Sequence, residues 1–497
     1  MKKLFSLFIF AFFFSISFSL FAQSDLSVTD LKVPGQISDY VVKDINKDDR
    51  ADFIVSFISV AGPKTGNRFI STFLQTPDGF YSEPGQTIQI DANVVGFELA
   101  NVSGDQADEL ILLQKSGLFF MPFQNGNFRK DLLKPLADVN PALPFPDKNS
   151  LLHLPLKVSS TKSEFDDLVI PSENSIIVVS KESQKAKSSE TITLTGFPET
   201  EMQPEGVSFT GVNYQIEVPA QKYFPFLSEN SQDLVLIYKN RISVYFQDPT
   251  SGLKPYPDFS LHFLSTGSEE IAIRASDDFN GDGVLDVLLE RSLFNDLVSR
   301  ELKYEFYYGS RNPKGQTQLK NKPDQIISGS GILVQYSMED LNRDGRLDFV
   351  TLEANISVTN LLTSFVTRDM KINYKFYIQK NQRFNSNPSL EKEISQDLNI
   401  RKDFNKTLLM TVGADIDGDG FKDLAISKDS KTLMVFSGLQ NGIITAAATY
   451  FQTVPIPADA KLIRAFPIFE PKRSDLIFIY GAKDPANLRS LVRIISR

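Results

Sequence analysis

One pattern of nine residues recurs three times in this chain of 497. Asp278, Asn280, Asp282, Gly283 and Asp286 form the first copy, Asp340, Asn342, Asp344, Gly345 and Asp348 the second, and Asp415, Asp417, Asp419, Gly420 and Asp423 the third. Oxygen-bearing side chains fall at positions 1, 3, 5 and 9 and glycine at position 6. Such side chains converge on one point only where the backbone wraps tightly, and glycine supplies the positive φ that the wrap requires. Position 7, occupied by Val284, Arg346 and Phe421, adds a main-chain carbonyl to the donor set. Carboxylates this close repel unless a hard divalent cation sits among them, and a flexible all-oxygen site suits Ca2+ better than Mg2+. An EF-hand would need an acid at position 12 and flanking helices. Leu289, Thr351 and Ile426 stand there, and an apolar run follows position 9, so the motif opens a strand.

Asp44, Asn46, Asp48 and Asp52 repeat the spacing a fourth time, with Asp49 in place of glycine, which predicts a strained but closed loop. Asn101, Ser103, Asp105 and Glu109 offer a weaker set in repeat 2, with few formal charges, and leave metal there open. The expectation is therefore three calcium ions, with repeat 1 as a fourth candidate. Their expected role is structural, because every charged ligand is used in closing the loop and a catalytic metal keeps an open position.

The position-9 acid and its apolar run recur beyond these loops. Asp52, Glu109, Asp167, Asp233, Asp286, Asp348, Asp423 and Asp475 all begin such a run, at spacings of 52 to 75 residues. Each repeat reads as an alternating strand, the acidic loop, a second strand after the anchor acid, a third strand such as Arg68–Phe73 or Thr432–Phe436, and a turn leading to a fourth. This order predicts an all-β fold, a single β-propeller of about eight four-stranded blades. The last repeat ends after its third strand, and the segment from Asp25 to Val33 precedes the first, so the two ends are expected to pair and close the ring.

The first residues, Met1 to Ala22, have the basic start, apolar run and small-residue end of a signal peptide, leaving 23–497 as one propeller domain. An uncleaved anchor is the alternative reading of that run. Export to the periplasm, cell surface or medium is expected, with no membrane span in the mature chain. There is no cysteine, so core, topology and metals must hold the exported fold. The formal charge of −9 becomes −11 without Lys2 and Lys3; an acidic chain with no basic stripe excludes nucleic acid as the expected partner.

These residues resemble the FG-GAP or VCBS repeat, the unit of integrin-α-type propellers and of many exported bacterial proteins. The resemblance covers the mature chain and is complete in repeats 5 to 7, while repeats 3, 4 and 8 keep little beyond the anchor acid. Integrin-type propellers have seven blades, so seven is the alternative to the eight anchors counted here. The resemblance implies a non-enzymatic binding or adhesion module for an extracellular protein or glycan. Some polysaccharide lyases share a calcium-bearing propeller, so a lyase or lectin is the second reading, and a structural subunit of a surface or periplasmic assembly the third.

Other residues carry weaker signals. Tyr304, Phe306, Tyr307, Tyr308, Tyr374, Phe376 and Tyr377 could form a platform for sugars, although strands favour aromatics in any case. His153 and His262 lack a nucleophile partner and read as structural. Ser328 to Gly331 reads as a turn. The segments Ser292 to Arg300 and Ala354 to Met370 read as long loops between second and third strands, on the face opposite the acidic loops, where a partner could bind.

Overall fold

In the computed structural model, residues 26–497 are described except 61–65, 105–106, 142–149, 160–164, 173–174, 181–189, 196–199, 205–211, 217–218, 249–251, 266, 297–298, 332, 355–368, 398–409 and 460–461. The expected signal peptide, Asp105 and most of the Ala354 to Met370 segment lie outside the described residues.

Short apolar runs punctuated by turns fold into eight sheets, antiparallel but for one short strand of blade 2, arranged as an eight-bladed β-propeller. Blade 1 consists of Gln36–Lys43, Asp52–Ile58, Arg68–Phe73 and Gln86–Ile90 in that order. Blades 5 to 7 repeat the arrangement around second strands that start at Asp286, Asp348 and Asp423. Among the described residues helix is confined to single turns such as Lys130–Leu132. None is long and apolar enough to cross a membrane.

The ring closes as its ends predict. Ser27–Lys32 pairs antiparallel with Leu491–Ser496 and becomes the outer strand of blade 8, with Leu31 opposite Val492. Both guanidinium arms of Arg493 reach Asp30 at 2.7 Å, and Leu31 is fully buried in the core shared by blades 8 and 1.

The hydrophobic core is divided among the blade interfaces. Phe349 of blade 6 packs between Tyr304, Phe306 and Tyr336, with ring centroids 5.1 to 6.1 Å apart. Tyr304, Phe306, Tyr307, Tyr308, Tyr374, Phe376 and Tyr377 are all buried, so they fill sheet faces and offer no sugar platform. Amides stitch the blades near the acidic loops. The N–H just before an anchor acid donates to the preceding blade's loop, as in Asp108 to Ile45, Leu347 to Phe279 and Lys422 to Leu341.

Three features depart from the sequence reading. Ser292 to Arg300 is not a loop, because the ladder of blade 5 runs on to Asp296 opposite Ser299 and the fourth strand follows it to Gly331. Ser328 to Gly331 is therefore strand, not turn. A Cβ on Gly329 would lie 3.1 Å from the Glu353 carboxylate, so the glycine there marks a close approach by blade 6. Leu152–His153 adds a fifth, parallel strand on the inner edge of blade 2, and His153 Nε2 lies 2.7 Å from Glu98.

Candidate metal centre

Each acidic loop follows an innermost strand and turns back into the second strand of the same blade. In blade 5, Asp278 accepts hydrogen bonds from the amides of Gly281, Asp282 and Gly283 at 2.7 to 3.1 Å. Asn280 accepts from Asp282, and Asp282 from Val284. The wrap needs left-handed backbone, and Gly281 and Gly283 supply φ of 76° and 75°. Blade 6 repeats these bonds with Asp340, Asn342 and Asp344 as acceptors. Blade 1 does the same with Asp44, Asn46 and Asp48. Asp49 there takes φ of 64°, as its place in the glycine position demands.

Blade 7 gathers three acids in its loop. One carboxylate oxygen each from Asp415, Asp417 and Asp419 lies within 4.8 Å of the others. Asp415 is 4% exposed, and its Oδ2 is buried with no hydrogen-bond partner. Burial raises the Asp415 pKa, and Asp419 and Asp417 add to the rise. A buried carboxylate oxygen without a hydrogen bond, beside two more acids, fits a hard cation, which would offset the desolvation of Asp415 and the repulsion among the three.

The position-9 acids are engaged differently, through backbone amides outside the wrap of the loop. Asp286 is fully buried, with one oxygen accepting from Phe279 N–H at 2.9 Å and the other from Gly309 N–H at 2.8 Å. Asp52, Asp348 and Asp423 are held in the same way by Ile45 and Gln75, Leu341 and Gln379, and Ile416 and Gly438. Burial pushes Asp286, Asp348 and Asp423 up to about 7 and Asp52 to about 6, against the lowering effect of these amides. Blade 4, without a complete loop, keeps the staple, and blade 8 keeps half of it. Asp233 accepts from Phe226, Leu227 and Gln247, and Asp475 from Ile468 and Phe469. In blades 1, 4, 5, 6 and 7 the anchor acid thus ties the loop to the turn after the third strand, a role that does not need the other loop acids.

Arginines at the loops were missed in the sequence. Arg50 and Arg346, at position 7, turn back to bind the position-5 acids Asp48 and Asp344. Their side chains therefore bear on the site as well as their carbonyls. Val284 and Phe421 leave blades 5 and 7 without this internal counter-charge. An arginine two residues after a position-5 acid was the available signal.

Two cavities lie away from the loops. One, of about 540 Å3, separates the inner strands of blades 4 and 5. Two of its cations are matched by acids: Arg274 pairs with Glu290 at 2.8 Å, and Lys222 lies 3.4 Å from Asp277. The other, of about 490 Å3, opens between blades 1 and 2 on the face of the acidic loops.

No family model matches the chain, and no curated protein matches it. Solved propellers do. A lectin of Agrocybe aegerita, described as recognising non-reducing terminal N-acetylglucosamine, shares 11% identity at a TM-score of 0.38, covering 91% of this chain and 95% of its own. The Dos1 propeller shares 9% at 0.43, covering 95% of each chain. The WD40 domain of SCAP from fission yeast shares 10% at 0.34, covering 83% and 96%. Likenesses this distant carry no functional information, and the blade count rests on the strand pairing above.

Proposed function

We propose that the chain is an exported, calcium-stabilised propeller of the FG-GAP or VCBS type that acts as a binding module for an extracellular protein or glycan, without catalysis. The observation that carries the metal reading is the blade 7 cluster, in which Asp415, Asp417 and Asp419 converge and the buried Asp415 Oδ2 accepts no hydrogen bond. Asp278, Asn280 and Asp282 would hold a second ion, Asp340, Asn342 and Asp344 a third, and Asp44, Asn46 and Asp48 a fourth. The buried acids Asp286, Asp348, Asp423 and Asp52 would close each site from beneath. The ion supplies charge compensation and a fixed loop geometry, and this role supports a structural metal.

Export and the binding role rest on the leader-like N-terminus and on the repeat resemblance. A calcium titration of chelator-stripped protein tests the metal reading. Ions that bind the folded loops alone raise the melting temperature by mass action, at concentrations on the order of 0.1 to 1 mM. Asp282→Ala and Asp419→Ala should each shrink the rise. A melting temperature indifferent to calcium sinks the reading. Screening the purified chain against extracellular proteins and glycans, with and without chelator, tests the binding role.

A further inference from the structure

The cavity between blades 1 and 2 is built from the two turns that join third to fourth strands. Tyr81 stands at its edge with 74% of its surface exposed, although the neighbouring Phe80 is turned inward. Phe80 packs edge-on against Phe53 at 5.4 Å and Phe469 at 6.0 Å, and this anchors the backbone so that the next side chain must face out. The exposed Tyr81 ring presents a flat apolar face with a polar hydroxyl at its tip.

The opposite wall is a tight turn in which Asn125 and Gly126 both have positive φ, 52° and 78°. It sets Asn125 and Asn127 on the lining, with Asn127 Nδ2 donating to the Asn125 carbonyl at 3.2 Å. Glu83 is the one acid on the lining, and no Lys or Arg lines it. The walls are held at fixed separation. Gln86 of blade 1 donates to the Phe128 carbonyl of blade 2 at 2.9 Å and accepts its N–H at 2.8 Å. The Tyr81 side is further tied to the acidic loop, since Asp52 accepts the Gln75 amide at 2.9 Å. A preformed groove loses less ordering entropy when it is filled.

We propose that this groove is a glycan subsite in which Tyr81 stacks on the apolar face of a neutral pyranose while Asn125, Asn127 and Glu83 bond its hydroxyls. The proposal rests on the binding-module reading and names its ligand class and place. One flat aromatic face suits the C–H side of a sugar ring. Primary amides both donate and accept, as hydroxyls do, and a carboxylate adds an acceptor. The single charge on the lining is negative, which disfavours uronates and other anionic sugars. About 490 Å3 is room enough for a small polar ligand. The groove lies on the face of the acidic loops, opposite the face the sequence suggested.

The test is calorimetric titration of the calcium-loaded full chain with methyl glucoside, methyl galactoside, methyl mannoside and the N-acetylhexosamines, with glucuronate as the anionic comparison. At least one neutral sugar should bind with a dissociation constant on the order of 1 mM, and glucuronate more weakly. Tyr81→Ala should weaken that binding by about fivefold or more, Tyr81→Phe should retain it, and Asn127→Ala should weaken it with Tyr81 intact. Melting temperatures should stay at the parent value in all three, since both residues are exposed. The proposal is overturned if no neutral sugar binds, if glucuronate binds best, or if Tyr81→Ala binds as the parent does. Capture of another ligand that Tyr81→Ala leaves unchanged removes this groove and leaves the binding-module reading standing. Loss of the calcium effect on melting strikes that reading and not the sugar titration.

Discussion

The guanidinium of Arg343, in the acidic loop of blade 6, lies 3.9 Å from Oδ2 of Asp415 in the loop of blade 7. It reaches there by passing over Gly420, where any Cβ would overlap it. Gly420 thus serves two purposes, supplying a φ of 98° and leaving room for a charge from the next blade. The acidic loops of blades 6 and 7 are thus linked, with the blade 7 acids placed in the field of a charge from blade 6.

Arg343 therefore opposes a cation at blade 7. A unit charge about 4 Å away in a largely aqueous setting is worth about 1 kcal/mol. Arg343→Met should tighten calcium binding at that loop by a few-fold, and the gain should fade in high salt because the side chain is 58% exposed. Calorimetry in low and high salt reads both effects, and unchanged affinity at low salt would show that the guanidinium does not act on the site.

The anchor acids should behave differently from the loop acids. Asp233 in blade 4 accepts three backbone amides and the Ser231 hydroxyl, in a repeat that lacks the acidic loop pattern. Asp233→Ala orphans those buried donors at a cost of about 1 to 3 kcal/mol or more. The loss should appear equally with calcium and with chelator. Asp282→Ala should instead cost stability chiefly when calcium is present. Paired melting curves distinguish the two kinds of acid, and a calcium-dependent loss in the Asp233 variant would contradict the staple.

Much of the ring was legible because each repeat must solve the same problem. A buried acid has to open every second strand, and that acid survives in repeats whose loops have lost the other ligands, as at Asp233 and Asp475. The closing strand could also be read, since the last repeat lacks a partner for Leu491–Ser496 and the N-terminus has a strand to spare. What stayed hidden depends on contacts between repeats. Nothing in the sequence near Arg343 names Asp415, and the Asn295–Asp296 pair within Ser292 to Arg300 reads as a loop signal although the ladder runs on to Asp296 opposite Ser299. Leu152–His153 is too short for any periodicity. The division of labour within the motif was likewise hidden, because spacing alone places position 9 with the other ligands, whereas both its oxygens are held by backbone amides.

Removal of residues 25 to 33 should destabilise the whole molecule. It strips blade 8 of its outer strand, the Arg493–Asp30 pair and the buried Leu31 together. It also exposes the edge of Leu491–Ser496 to other chains. The shortened protein should melt lower and aggregate, as scanning calorimetry and light scattering would show. Parent-like melting and solubility would mean that the ring holds without its closing strand.

Stability without metal should fall as pH rises. Burial lifts Asp286, Asp348 and Asp423 to about 7 and Asp52 to about 6, above the ordinary value of 3.8. A folded-state pKa above the unfolded one means that the fold binds protons more tightly, so this contribution is full below about pH 4 and is lost as pH passes through 6 to 7. Melting temperatures of chelator-stripped protein should therefore decline between about pH 5 and 8. A bound cation favours the ionised carboxylates and lowers their folded pKa values, so saturating calcium should flatten that decline or reverse it. The two series separate the buried acids from any general effect of charge, since the latter would move both alike. Parallel slopes with and without calcium would show that these carboxylates do not face the ion.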